Sequence, residues 1–599
     1  MFSLPCCAGV ERECGPRRGY AQSIDCRTGH GALAYVSDTS ALPTATAYPL
    51  ARLSSTEGPL RINNSAGNAS LNIPLGARET AQVAILHLVA TNSVSLLGER
   101  SQLVVRLNDR TLAQFALSPH QPELTADIRL PVGYLKTGYN SLTFAVAQHA
   151  TEQCEDPTSP ELWTEIDTTR STLQLQSDLK PLTPTLADLN DLIDPRQQYP
   201  RQINIVNASH PADDTALSTG GLVAQGVALR LRYLPFAVKQ LDAKSGAGAG
   251  MAPGLALAEL ANADNVLIGT KEQLKPYLSA DWLQRLQGSF LGIYPMPNDQ
   301  RHFLLVVAGD TEEQVRLAAS TFASLRAPLP QQAGMTVASL NRGGLSAYEA
   351  PGKMAASGTY QFKQLGYVTH TIGEHGNVSS DVDVTLPADA YASEDAVIEF
   401  DLNFTEGAKM RADSVMNIYL NNKFQSVIAL DQEQGGLLQH YRVSIPLRSF
   451  KTGHNVVSFQ PALVPFITGN CVCRQMGNLR VTLFDDSTVK LPSFSHYVAL
   501  PNLQLLADSG FPYTVHSDGS SVAVRLAAHD SNTIAAAWSL LGRLAQDQSM
   551  ALEAAQVTFG ESQDGRQILL VGAQASLPSE ALLGAPWPPD ALPQTEDAR

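Results

Sequence analysis

Between residues 51 and 180, apolar and polar positions alternate in short runs, each ended by turn-forming side chains. Val83 to Ala90, Leu103 to Leu107, Phe115 to Leu117, Ile128 to Leu130, Leu142 to Val146 and Leu173 to Leu175 have this character. A period of two sends successive side chains to opposite faces of a strand. Runs of this kind with turn signals roughly every 8–12 residues predict a β-sandwich of the jelly-roll kind. The pattern changes near Pro181. Ile203 to Val206, Val266 to Thr270 and Phe303 to Val307 are apolar throughout, as strands buried on both faces are. The first of these is followed by a helical stretch from Thr215 to Leu231. After the last comes a helix on which Val315, Ala318, Phe322 and Leu325 share a face, with Asp310 as the expected N-cap and Glu313 three residues on. Strands alternating with helices predict a parallel α/β sheet. The tract from Ser245 to Gly254 is expected to be a flexible loop within it.

The alternation then starts again. Val382 to Leu386, Ala396 to Asp401, Met416 to Leu420, Val456 to Phe459 and Leu479 to Leu483 predict a second sandwich. The strand Val522 to Leu526, the helix Thr533 to Leu544 and the strand Ile568 to Val571 predict a second α/β unit. The two halves are copies. Ser101-Gln-Leu-Val-Val-Arg-Leu-Asn-Asp-Arg110 returns as Ser414-Val-Met-Asn-Ile-Tyr-Leu-Asn-Asn-Lys423, an offset of 313. Leu135-Lys-Thr-Gly-Tyr-Asn140 returns as Phe450-Lys-Thr-Gly-His-Asn455, and Pro131 returns as Pro446. Asn followed by Asp or Asn suits a hairpin turn, because these side chains tolerate the left-handed backbone. The expected order is an irregular tail over 1–50, a sandwich over 51–180, an α/β unit over 181–326 and a linker over 327–358. A second sandwich follows over 359–488, then a shortened α/β unit over 489–575 and a tail over 576–599. At this spacing the counterpart of Phe303 to Leu325 would fall beyond the last residue, so the second α/β unit is expected to be incomplete.

A chain of 599 residues exceeds what one core supports. With 44% hydrophobic and 17% charged residues it has a globular composition. A formal charge of −15 and a pI near 5.3 argue against nucleic acid as a partner. The seven cysteines are Cys6, Cys7, Cys14, Cys26, Cys154, Cys471 and Cys473, and their spacing lacks that of a zinc site. An odd count leaves one thiol unpaired in an oxidising compartment. No apolar run reaches the ~18 residues of a membrane span, and residues 1–40 lack the apolar core of an export signal.

Motifs for turnover are missing from the sequence. It contains no phosphate-cradling Gly-x-x-x-x-Gly-Lys-Ser/Thr, no dinucleotide glycine triplet after Gly309, no Gly-x-Ser-x-Gly and no His-Glu-x-x-His. Glu374-His375 reads as a solvated loop pair. Arg106 and Arg110 match half of a cyclic di-GMP motif, but they fall on the alternating strand and its turn, and Arg110 becomes Lys423 in the second copy. No catalytic residue, metal ligand or cofactor site is therefore assigned. Glycan contacts are the remaining chemistry, since aromatic rings on a sandwich stack on sugar faces. The candidates are Tyr139, Trp163, Tyr441 and Phe466.

The paired Ser-x5-Leu-Asn-Asp/Asn and Lys-Thr-Gly-x-Asn segments resemble the periplasmic B subunit of bacterial cellulose synthase. So do Cys154 with Glu161-Leu-Trp-Thr-Glu-Ile-Asp167, Phe362-Lys-Gln-Leu-Gly366, and Leu500-Pro-Asn-Leu503 running to Gly510-Phe-Pro512. The resemblance covers about 51–575 and includes module order. It implies two carbohydrate-binding-module-like jelly rolls alternating with two flavodoxin-like domains. It also implies a non-catalytic subunit on the outer face of the inner membrane, beside the catalytic subunit of cellulose synthase, guiding the emerging β-1,4-glucan. Family members are often labelled cyclic di-GMP-binding. They carry an export signal and a C-terminal membrane helix, and neither pattern occurs in this chain, so the anchor is expected on a helix outside it. The alternatives are a free glycan-binding protein and a glycan-active hydrolase on a β-sandwich scaffold.

Overall fold

The computed structural model describes residues 47–583 except 55–57, 153–154, 156–158, 198–202, 210–211, 237, 243–259, 261–262, 297–298, 342–346, 374–378, 392, 465–477 and 561–565. All seven cysteines, Phe466, Glu374-His375 and the expected loop from Ser245 to Gly254 lie outside the described residues.

Each copy of the repeated segment is the centre of a β-sandwich. In the first, Leu103, Val105 and Leu107 are fully buried while Val104 and Arg106 face outward, as the alternation predicts. Gln102–Leu107 lies in a four-stranded antiparallel sheet with Ala66–Leu75, Gly138–Ala147 and Arg110–Ala116. The opposing sheet is built on the long strand Glu79–Asn92, with Thr172–Leu179, Trp163–Ile166 and Glu123–Arg129 paired to it. The strand Ala47–Pro49, within the stretch expected to be tail, pairs with Thr172–Gln174 at its edge. In the second sandwich, Val415–Leu420 pairs with Gly453–Ala462 and Lys423–Ala429 opposite a sheet built on Val397–Glu406. The hairpin turns agree with the expectation. Asn108 and Asp109 have φ of 48° and 65°, and Asn421 and Asn422 have 49° and 64°. Positive φ at both central residues is what a two-residue type I′ turn needs to match strand twist.

The structure also explains why the two motifs recur together. The Asn140 side chain is fully buried and accepts from the Lys136 backbone N–H at 2.7 Å and the Asn108 amide at 2.8 Å. It donates to the Lys136 carbonyl at 2.8 Å. Asn108 in turn accepts from the Ser141 backbone at 3.0 Å. Asn455 repeats every contact with Lys451 and Asn421, at 2.8, 2.9 and 2.8 Å, and Asn421 accepts from Val456 at 3.0 Å. Each hairpin turn is thus bolted to the loop that precedes the neighbouring strand. The serines are shared too: Ser101 bonds both backbone groups of His149, and Ser414 those of Val464. Replacing Asn455 with alanine leaves buried polar groups unpaired, at about 1–3 kcal/mol each. Asn455→Ala is expected to lower the denaturation midpoint markedly. Asp109→Asn, which copies the second turn, should stay within about 0.5 kcal/mol of the parent. Equal midpoints for the two variants would contradict this account of the lock.

The first α/β sheet has the order Val238–Asp242, Ile203–Asn207, Asp264–Thr270, Asp299–Gly309, Ser289–Met296, Gly334–Val337. The first four strands are parallel, as expected. The last two are antiparallel, so the sheet is mixed. A two-residue connection between Met296 and Asp299 permits only a hairpin, because a parallel crossover needs a dozen or more residues. Gly334–Val337 falls within the expected linker, yet it closes the sheet edge. Helix Glu312–Ala323 is capped by Thr311, reciprocally with Gln314, and not by Asp310. Asp310 instead accepts from the Gly288 backbone at 2.8 Å.

The second α/β unit shows three parallel strands among the described residues, Val522–Leu526 flanked by Gln556–Thr558 and Gln567–Val571, with helix Ser531–Gln548. What completes it is the first unit. Helix Asp214–Leu231 is buried nearly all round. One side covers its own sheet, and the other receives Trp538, Leu541 and Leu552, so a single core runs through both units. Gly220 and Gly221 make the seat: a Cβ at Gly220 would stand 2.2 Å from Cζ2 of Trp538, a severe clash. The Trp538 indole donates to the Leu217 carbonyl at 2.9 Å. Gln225 accepts from the Leu552 backbone at 2.6 Å, and Ser218 from Val557 at 2.9 Å. Among the described residues no helix is long and apolar enough to cross a membrane.

Candidate functional site

Outward positions of the sandwich strands are where a glycan would lie, and the aromatic candidates divide among separate surfaces. Trp163 opens the strand Trp163–Ile166 on the larger sheet of the first sandwich, opposite Asn63. The Arg61 guanidinium lies over its half-buried ring at 4.4 Å and reaches Glu165 at 3.5 Å. Tyr139 stands on the smaller sheet, just after the Lys-Thr-Gly loop, and is 56% exposed. It lies beside Tyr233 of the first α/β unit, with Arg196 and Arg232 near. Partial burial first, and Tyr233 next, raise its hydroxyl pKa. Tyr441, in the second sandwich, packs edge-to-face on buried Phe404 with centroids 5.9 Å apart. It serves as a lid on the core as much as a surface ring. These three do not converge on one site.

A facing pair of rings, one half-buried and one exposed, escaped the sequence reading. Tyr419 and Phe424 face each other across the second hairpin with centroids 5.9 Å apart, and Phe424 is 56% exposed beside Val427. The same register in the first copy holds Arg106 and Thr111. Comparing outward positions between copies would have found them, because a polar pair becomes an aromatic one where no core demands it. Arg110 lies over the Tyr134 ring at 4.4 Å and opens the strand Arg110–Ala116, so Arg106 and Arg110 stand on the two strands of one hairpin.

Open α/β sheets hold ligands at the carboxyl ends of strands where the order reverses. Here that point is between Ile203–Asn207 and Asp264–Thr270. The Asn207 amide occupies it, donating to the Ala216 carbonyl at 3.2 Å and accepting from the Ser209 backbone at 3.0 Å. Thr270 is committed to capping Lys271–Leu274. These polar groups serve the fold.

Comparison with known proteins follows this layout. Residues 44–179 match the family model of the first CBM domain of cellulose synthase BcsB, and 185–337 its first FD domain. Residues 359–488 match the second CBM domain, and 496–596 the second FD domain. The chain is 25% identical over 556 residues to a protein of Xanthomonas axonopodis pv. citri named cyclic di-GMP-binding protein, covering 86% of this chain and 66% of that one. It is 25% identical over 534 residues to putative cellulose synthase 2 of Komagataeibacter xylinus, covering 85% of this chain and 33% of that one. The chain thus spans about two thirds of the length of the first and a third of the second. Among solved structures it is similar to a family 35 carbohydrate-binding module from an environmental isolate, at 15% identity and a TM-score of 0.13 over 26% of this chain and 97% of that module. With both CBM and both FD domains present in alternating order, the chain belongs to the cellulose synthase BcsB family.

Proposed function

We propose that this chain is a non-catalytic accessory subunit of bacterial cellulose synthase, on the periplasmic side of the inner membrane. It docks on the catalytic subunit and guides the exported β-1,4-glucan. The match of all four BcsB domains in order carries the reading. On this reading the sandwiches over 51–180 and 359–488 are carbohydrate-binding jelly rolls, and the α/β units over 181–326 and 489–575 are flavodoxin-like spacers that have given up ligand binding. The commitment of the Asn207 amide at the switch point to bonds within the fold supports the spacer role. Trp163 and Tyr139 are proposed as glucan contacts of the first sandwich and Tyr441 of the second. Several weak contacts in series suit a moving polymer, because each can release without losing the whole chain.

The test is co-purification of the tagged, exported chain with the membrane catalytic subunit of its own host. Recovery of both in stable proportion is expected. Recovery of a folded chain alone, under conditions that keep the synthase intact, would sink the docking role and favour a free glycan-binding protein.

A further inference from the structure

The two sandwiches differ in the chemistry that closes one end of each. In the first, Asn92 ends the long strand Glu79–Asn92 and is 3% exposed. Its amide donates to the Ser93 carbonyl at 3.0 Å and to the Ser118 carbonyl at 3.2 Å, which fastens the loop that crosses between the sheets. The register of the second sandwich puts Glu406 in that place. Ser171 bonds both backbone groups of Val89, and Ser487 those of Asn403, at the same distance before Asn92 and Glu406. Asp431 and Gln432 likewise stand where Ser118 and Pro119 do, because the Leu117 N–H donates to Ser101 and the Leu430 N–H to Ser414. The exchange is concerted. Pro119 has no N–H to give, whereas the Gln432 N–H donates to Oε1 of Glu406 at 2.9 Å. A donor facing a carbonyl has become an acceptor facing an N–H.

One oxygen is left over. Glu406 is 5% exposed, and among the described residues its Oε2 has no hydrogen-bond partner. The chain packs tightly around it. A Cβ at Gly407 would overlap the Asn478 carbonyl, and one at Gly435 would lie 2.7 Å from the Ala408 nitrogen. The Lys409 N–H donates to the Glu433 carbonyl at 2.9 Å across the same join. The charged side chains on the surrounding elements are those of Lys409, Asp431, Glu433 and Arg480, and all four residues are exposed. A buried carboxylate without a cation beside it favours its neutral, protonated form. Burial above all, with the Asp431 charge adding to it against the Gln432 N–H, pushes the Glu406 carboxyl above its ordinary range.

We propose that a proton on Glu406 latches the loop over 430–435 to the end of strand Val397–Glu406, a pH-sensitive closure that the first sandwich replaces with the fixed amide of Asn92. The closed loop binds this proton more tightly than the open loop does. Closure is therefore strongest below the ordinary carboxylate range and is lost as pH rises through the raised value. Opening frees the edge strand Lys423–Ala429, with its exposed Phe424 and Val427, from the strand Gly436–Pro446 that follows it.

Hydrogen exchange of the full chain, corrected for intrinsic rates and followed from about pH 5 to about pH 8, tests the latch. Protection over 430–436 in the parent is expected to fall with a slope approaching about tenfold per pH unit, the limit for one proton. Protection over 117–122 in the first sandwich should stay level. Glu406→Gln, which supplies an amide as Asn92 does, is expected to remove the slope and to match or exceed the parent's protection at the upper pH. A level profile in the parent overturns the latch. So does a slope that survives Glu406→Gln, because it belongs to another group. Weaker protection in Glu406→Gln than in the parent at the upper pH, with 117–122 unchanged, overturns it too. The charge itself would then be needed, as a bound cation needs it.

Discussion

Trp538→Ala is expected to lower stability by about 3–5 kcal/mol, the range for truncating a large buried aromatic side chain. Three features set the size of the effect. Trp538 has no solvent exposure. Its ring rests on Gly220 and Gly221, which cannot extend a side chain to refill the space. Its indole donates the bond to the Leu217 carbonyl. The cavity would open between the two α/β units, so the loss should appear as their uncoupling. Hydrogen exchange should show lost protection along Asp214–Leu231 as well as in Ser531–Gln548, while both sandwiches keep theirs. Trp538→Phe retains most of the apolar contact and gives up the indole bond, for a smaller loss of about 1–2 kcal/mol. An unchanged exchange pattern in Asp214–Leu231 after Trp538→Ala would mean that the units do not depend on a common core.

Arg78→Ala should cost a similar amount at a different joint. Arg78 is 3% exposed and meets Asp264 through two bonds of 2.7 and 3.0 Å, tying the first sandwich to the first α/β sheet. It also donates to the carbonyls of Leu192 and Arg301. Removing one partner of a buried pair leaves the other charge desolvated, a penalty of about 3–5 kcal/mol. Among the described residues the Asp264 carboxylate would keep the Phe303 backbone at 3.1 Å and His302 at 3.2 Å. Pairing Arg78→Met with Asp264→Leu removes both charges and fills the volume, so much of the loss should return. Thermal unfolding of the three proteins decides it. If the double variant is no more stable than Arg78→Ala, an uncompensated charge is not the source of the loss.

The sequence disclosed the parts of this fold that local periodicity encodes. Strand Val522–Leu526 was found at both ends, and helix Asp214–Leu231 to within a residue, because burial repeats there with a fixed period. The antiparallel strand Ser289–Met296 was missed. Its partner is set by a short connection, and Gly292 and Pro295 interrupt an otherwise strand-forming run. The join between α/β units was equally hidden. Gly220 and Gly221 look like weak points of a helix until Trp538, far away in sequence, is seen to need them. For the candidate site, residue type named aromatic rings but could not say which way they face. Tyr441 packs on the core while Tyr139 stands out from it, and only the structure separates them. The repeated Asn residues gave the clearest signal of all, and their work is to hold the scaffold.

The shared core also has a consequence for how the chain comes to be folded. Trp538 follows Gly220 by 318 positions. At synthesis rates of about 5–20 residues per second, that interval is roughly 16–64 s. Throughout it, the apolar side of Asp214–Leu231 that awaits Trp538 has no mate, although its own sheet and both neighbouring sandwich sequences are already emerging. An apolar face left open for that long is exposed to wrong partners, and helix Ser531–Gln548 acts as the closing piece for a module made long before.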